Sequence, residues 1–210
     1  MPQTWWSTNI SDFRSYIRSY GEGVGWPSRK WFSAHLKPGV SLLDIGCGSG
    51  CELENLLADG RDDIGYEGCD YTPEAVAACR ELFPEVKFFE ADARKLELPD
   101  SSRDVVLLRH TLDHIDKWQD AVKEAYRVAR KEVVIILWVP LMEGDQQVYK
   151  EHGSDAYYRV FNRKMLEEEF GKLPGAAWTF EEISCKGVPG REYRVDTAIT
   201  ITKTTCVLSS

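Results

Sequence analysis

Two groups of residues in this chain are spaced for chemistry: LLDIGCGSG at 42–50 and HTLDH at 110–114. Glycines at 46, 48 and 50, entered from an apolar run and left into a helical pattern, let the backbone pass close beneath a ligand, with the N–H groups of a helix start at the exit. A dinucleotide fingerprint needs its third glycine at position 51, where this chain has Cys51. No GxxxxGK run followed by Ser or Thr occurs, which excludes a P-loop. His110 and His114, four apart with Asp113 beside them, share a face if they lie on a helical turn. Imidazole titrates near working pH, so either could accept a proton. One carboxylate and two imidazoles make a poor magnesium site and would suit zinc or iron better. The remaining candidate ligand, His152, is distant, so no metal site is assigned. The six cysteines, Cys47, Cys51, Cys69, Cys79, Cys185 and Cys206, form no CxxC pair; they read as buried thiols of a reducing compartment.

The elements that must position these residues alternate in type. VSLLDI (40–45), IGYEGCD (64–70), VKFFEA (86–91), DVVLLR (104–109) and EVVIILWV (132–139) read as buried strands. Between them lie helical stretches at 52–60, closed by Gly60, at 72–82, capped by Thr72 with Pro73 at its first position, and at 119–129. Apolar strands separated by helices predict a parallel sheet covered on both faces. Residues 1–36 form an N-terminal arm, with one amphipathic helix over Ile10, Phe13, Ile17 and Tyr20 and a second opened by Pro27 and ended at Pro38-Gly39. Residues 141–160 are polar, aromatic-rich and irregular. A helix follows at 162–171, and WTFEEISC (178–185) with VDTAITITK (195–203) reads as an antiparallel pair at the sheet edge. The division is thus an arm at 1–36, a ligand-binding core at 40–140, an insertion and helix at 141–170, and an edge hairpin at 176–204, all in one α/β doubly wound domain.

Composition narrows the class. A 210-residue chain that is 43% hydrophobic and 29% charged can bury a core without metal or disulfide staples. The net charge of −8 and the scattered basic residues argue against nucleic acid as partner. The longest apolar stretch, VVIILWVPLM, is half a bilayer span, and MPQTWWSTN lacks the marks of a signal peptide. A cytoplasmic protein with a small-molecule substrate and no membrane partner is the expectation.

On these motifs the chain resembles the class I S-adenosylmethionine-dependent methyltransferases. DIGCGSG (44–50) matches that family's first motif, an acidic residue followed by GxGxG. GCDYTPEAV (68–76) resembles its second strand end, and FFEADARKLELPDSSRDVVLLRHTLDHI (88–115) its third and fourth motifs. The resemblance covers roughly residues 40–140. It implies a seven-stranded, mostly parallel sheet whose last strand inserts antiparallel, with helices on both faces, and S-adenosyl-L-methionine as cofactor. It further implies roles for single residues. Gly46, Cys47, Gly48 and Gly50 would form the loop under the ligand, with Asp44 near the methionine ammonium. Asp70 would accept the ribose diol and Tyr71 lie along the adenine. Asp92 would accept the adenine amino group, the Ala93 N–H would donate to the ring, and the Arg109 backbone would meet the methionine portion. The family's Pro-Gly-Gly turn before strand five is replaced by RVARKEVVIIL, which predicts a tighter connection.

The acceptor is read from what varies. The chain lacks the Asp/Asn-Pro-Pro-aromatic motif of amino-directed nucleic-acid methylation and a Pro-Cys pair for cytosine methylation, leaving oxygen or nitrogen of a small molecule. Trp5, Trp6, Phe13, Tyr16, Tyr20, Trp26, Trp31 and Phe32 concentrate aromatics in the arm, and Tyr149, Tyr157 and Tyr158 add more in the insertion. Phe13 and Tyr20 suit a core stripe; the others could line a lid over a flat or sugar-like acceptor. His114, slightly ahead of His110, is the expected general base. A catalytically silent cofactor-binding or interaction module, or a protein or RNA methyltransferase, are the competing readings.

Overall fold

The computed structural model describes residues 26–138, 140–144, 147–150, 157–186 and 195–204. The amphipathic helix expected over residues 10–20 lies outside them, as do Trp5, Trp6, His152 and Cys206. Helix α1 (Pro27–His35) begins at the proline whose fixed φ suits a first turn, and the chain reverses at Gly39, where φ is +72°. Strand β1 (Ser41–Ile45) leads through the glycine loop into α2 (Cys51–Ala58) and β2 (Gly65–Asp70). Next come α3 (Pro73–Leu82), β3 (Lys87–Glu90), β4 (Arg103–Arg109) and one 3-10 turn, Leu112–His114. Helix α4 (Trp118–Val128) passes into β5 (Ala129–Leu137) with no intervening residue, the tight connection expected where the Pro-Gly-Gly turn is missing. The chain then forms β6 (Gln147–Lys150), β7 (Tyr157–Val160), α5 (Arg163–Phe170), β8 (Ala176–Ser184) and β9 (Val195–Lys203).

The main sheet has seven strands in the order β3-β2-β1-β4-β5-β9-β8. Strands β1 to β5 pair in parallel, and β9 runs antiparallel between β5 and β8. The expected edge hairpin therefore has its second strand inside the sheet and its first outermost. Side chains alternate strictly across β4: Val105 and Leu107 join one apolar layer with Phe32, Leu53, Leu56 and Val76, while Val106 and Leu108 join the other with Trp118, Val122, Leu166 and Phe170. Burial on both faces is what turns these strands into continuous apolar runs.

Two local expectations are corrected. Residues 141–160 are not irregular throughout, since Gln147–Lys150 pairs antiparallel with Tyr157–Val160. Valine and tyrosine on both sides of a polar stretch favour that pairing over the polar composition around them. The chain after this hairpin is fastened to the 3-10 turn: Arg159, buried, donates from Nη1 to the Ile115 carbonyl (2.6 Å) and from Nη2 to that of Asp116 (3.2 Å). Thr72 stands at the N-terminus of α3 as expected, but its side chain makes no bond to the helix; the Asp70 carboxylate accepts its N–H instead (2.9 Å).

Trp118 starts α4 fully enclosed, its ring meeting Phe161 edge-on at 5.2 Å. Trp118→Ala should therefore lose about 3–5 kcal/mol of stability. Urea unfolding followed by circular dichroism measures it, and a loss under 1 kcal/mol, about the size of a surface change, would contradict this packing.

Candidate functional site

The carboxyl ends of four neighbouring parallel strands carry the polar residues singled out by sequence. In sheet order these are Asp92 after β3, Asp70 at the end of β2, the glycine loop after β1, and Arg109 with His110 at the end of β4. At about 4.8 Å between strands, the set spans roughly 15 Å, the reach of an elongated ligand laid across the sheet edge.

The loop is shaped by backbone that only glycine adopts without strain: φ is +75° at Gly46, +53° at Gly48 and +77° at Gly50. Its amides point inward. Gly46 and Cys47 both donate to the Cys69 carbonyl (2.8 and 3.0 Å), Gly48 to Asp70 Oδ2 (2.9 Å) and Gly50 to the Cys47 carbonyl (2.9 Å). The loop thus offers a ligand close approach, with four of its amides engaged within the protein. A Cβ on Gly46 would press into the Thr111 side chain, so the loop and the turn after β4 touch directly.

Beside the loop lies an open cleft of about 470 Å³, lined by Arg29, Asp44, Gly46, Cys47, Gly48, Ser49, Cys51, Glu52, Arg109 and His110. Five of the expected cofactor residues (Asp44, Gly46, Cys47, Gly48 and Arg109) line it together with His110. Gly50, Asp70, Tyr71, Asp92, Ala93 and His114 do not. Asp70 borders it through Gly48, and Tyr71 is half exposed one residue on.

Charge in the cleft is organised around buried groups. Asp44 is enclosed, and its Oδ2 accepts from the Tyr66 hydroxyl at 2.6 Å. Burial pushes its carboxyl up to about 7, against the opposing pull of that hydroxyl. Burial also raises Asp70, opposed by the amides of Thr72 and Gly48. Its two oxygens accept the Gly48 and Thr72 N–H groups, one each, with the Thr72 side chain and the Tyr71 amide as further donors. Asp92, by contrast, is held low by Arg94, which grips it with Nε (2.9 and 3.1 Å) and Nη2 (2.7 Å). An amino group approaching Asp92 therefore meets a carboxylate already paired. The Cys47 thiol is driven well above its ordinary value by a hydrogen bond with Cys79 and by burial, which removes it as a nucleophile.

Four cleft residues, Arg29, Ser49, Cys51 and Glu52, were not among the expected site residues. Glu52 sits on the first turn of α2, 3% exposed, and takes Arg29 Nη1 at 2.5 Å, with Arg109 Nε 3.4 Å from the same oxygen. Its other oxygen, Oε1, is buried and has no hydrogen-bond partner among the described residues. A glutamate among the buried positions of CELENLL, which also include Asn55, was the available signal. Arg109 also differs from expectation: its carbonyl is taken by the Thr111 hydroxyl (2.9 Å), and its guanidinium reaches His110 Nε2 (2.9 Å).

The histidines do not share a helical turn. His110 precedes the 3-10 turn with φ +51°, a left-handed conformation found among the described non-glycine residues only here and at Ser101. Its N–H is fixed to the Ile136 carbonyl (2.8 Å). His114, at the end of the turn, lies 3.5 Å from the fully buried Asp113 and outside the cleft lining. Among the described residues no group of three or more His, Cys, Asp or Glu side chains gathers as for a metal, and no helix is long and apolar enough to cross a membrane. Of the aromatics proposed for a lid, Trp31 stacks on His35 and donates to Glu181, and Phe32 is core.

Comparison with known proteins places these features. Residues 43–137 match the family model described as a methyltransferase domain. A ubiquinone/menaquinone biosynthesis C-methyltransferase of Campylobacter jejuni is 27% identical over 133 residues, which are 60% of this chain and 57% of that protein. The chain thus spans little more than half the length of that curated relative. Demethylmenaquinone methyltransferase of Thermus thermophilus is 25% identical over 189 residues, 86% of this chain and 82% of the relative. In fold, the chain is similar to the 1,6-didemethyltoxoflavin-N1-methyltransferase of Burkholderia thailandensis, solved with 1,6-didemethyltoxoflavin and S-adenosylhomocysteine. The TM-score is 0.66 at 20% identity, covering 93% of this chain and 87% of that one.

The loop geometry yields a direct test. Gly39→Ala meets open space and pays only the left-handed penalty, about 1–2 kcal/mol, whereas Gly46→Ala pays that and must displace Thr111. Thermal denaturation should show Gly46→Ala as clearly the less stable; equal melting temperatures would mean the loop and the β4 turn do not touch.

Proposed function

We propose that this protein, whose residues 43–137 match a methyltransferase-domain family model, is a class I S-adenosylmethionine-dependent methyltransferase that transfers a methyl group to an oxygen or nitrogen of a small-molecule acceptor. The observation that carries this reading is the cleft itself: acceptor groups on inward-bonded glycines, next to a strained histidine. A ligand with an ammonium and a diol, and no phosphate, suits Asp44, Asp70, a Glu52 Oε1 without a partner among the described residues, and a loop that turns four of its amides inward. S-adenosylmethionine, when bound, supplies a methyl carbon activated by a sulfonium.

The chain's residues then have definable tasks. Asp44 faces the ammonium, Asp70 orients the ribose, and the three glycines let the ligand approach the backbone. Tyr71 and Ala93 flank the adenine, and Asp92 reaches its amino group only by sharing the Arg94 pair. His110 is the base: it lines the cleft, whereas His114 does not. With the cofactor bound to supply the methyl group, His110 Nε2 would take the proton that the acceptor oxygen or nitrogen gives up, its contact with Arg109 opening as it does so. The β6–β7 pair is fastened beside the 3-10 turn through Arg159. A carbon acceptor is the second reading, favoured by the name of the Campylobacter relative.

Binding and turnover test this separately. Because the Asp44 carboxyl titrates near 7, a cation can pair with it below that pH only by displacing its proton. Calorimetry should show S-adenosylmethionine binding, with NAD weak. Its Kd should rise as pH falls from 7 to 5, by up to about tenfold per unit, with the slope lost in Asp44→Asn. Tight NAD binding without S-adenosylmethionine binding would overturn the cofactor assignment.

For turnover, labelled-methyl transfer into small-molecule extracts identifies the acceptor. With it, His110→Ala should lower kcat by about 10²–10⁴-fold at nearly unchanged cofactor Kd, and His114→Ala far less. No S-adenosylhomocysteine formed with any extract would favour a silent binding module.

A further inference from the structure

Strand β9 brings a buried carboxylate to the same histidine. Asp196 is fully enclosed, one residue into the inserted antiparallel strand. Because β9 runs against its neighbours, its first residues lie at the carboxyl edge of the parallel strands, where the cleft is. Asp196 Oδ2 accepts from Ser28 Oγ (2.5 Å) and Trp26 Nε1 (2.9 Å), and lies 4.0 Å from His110 Nε2. That nitrogen also faces Arg109 Nη1 at 2.9 Å. A guanidinium only donates, so in this arrangement Nε2 accepts from Arg109, and that contact must open before the nitrogen can take a proton.

We propose that Asp196 is a positioning residue for His110, a fixed negative charge beside Nε2, and that Trp26 and Ser28 at the start of α1 hold it there. The inference rests on reading His110 as the base. When Nε2 takes the acceptor's proton, positive charge forms between Arg109, which opposes it, and Asp196, which favours it. Two features of the fold support the arrangement. The backbone at His110 is held in a conformation that costs energy, which persists only where its surroundings over-determine it. The carboxylate is also fixed by two donors from a segment about 170 residues away in sequence, so seating of the arm's end completes the site.

Other charged groups face the cleft: Arg29 from α1, Asp44 from β1, Cys47 from the loop, and Cys51 and Glu52 from α2. All are unchanged in the variants below, so differences report on Asp196. The protein has four histidines, and His110→Ala identifies the signal of His110 in ¹⁵N-histidine NMR spectra of the full chain. In Asp196→Asn the pH midpoint of the His110 ring should fall by roughly one unit. In Ser28→Ala, which leaves the carboxylate charge less shared, it should rise. A merely structural Asp196 would move neither in this pattern. A folded Asp196→Asn with the midpoint unmoved overturns the proposal. Should that variant not fold, an unmoved or lowered midpoint in Ser28→Ala does so. The base reading fails on different evidence, an undiminished kcat in His110→Ala.

Discussion

One carboxylate ties together the two turns on which the cleft depends. Asp70, the last residue of β2, accepts the Gly48 N–H with one oxygen and the Thr72 N–H with the other. The first bond sets the height of the glycine loop over the sheet edge; the second sets where α3 starts. Neither turn could hold its shape through side-chain packing, since the loop has almost no side chains to pack. The Cys69 carbonyl completes the fixation by accepting both Gly46 and Cys47. A ligand that met this edge would find a backbone already committed, and its affinity would not have to cover the ordering of a loose loop.

Buried charge is the second constraint. Arg29 and Glu52 pair at 2.5 Å with almost no solvent. Such a pair adds little net stability against an apolar alternative, but breaking it costs about 3–5 kcal/mol because the survivor is stranded. Its value is therefore in register. It fixes α1 against α2 at one relative position, and with it the Trp26 and Ser28 donors at the start of α1.

Much of this was legible in the sequence, for identifiable reasons. The parallel strands announced themselves because burial on two faces demands continuous apolar runs, and the glycine loop because positive φ restricts residue type. The insertion was misjudged because QVYK and YYRV carry strand-forming residues inside a polar composition. The histidine pair was misjudged for a different reason. Spacing of four implies a shared face only if the chain is helical, and His110 is held in left-handed backbone by the Ile136 carbonyl. Asp196 left one faint trace, an acidic residue in a run rich in β-branched residues. Nothing local could reveal its neighbours, because Trp26, Ser28 and His110 reach it only through the strand order.

The direct passage of α4 into β5 carries a consequence of another kind. Val128 closes the helix and Ala129 opens the strand, both buried. At this junction the chain has no slack, so an inserted residue would have to rotate the helix by about 100° or shift the strand by one place. A one-residue slip would turn every β5 side chain to the opposite layer. In this chain an insertion is thus blocked at the junction, where a Pro-Gly-Gly turn would have supplied slack, and is borne more easily in the connections at the carboxyl edge.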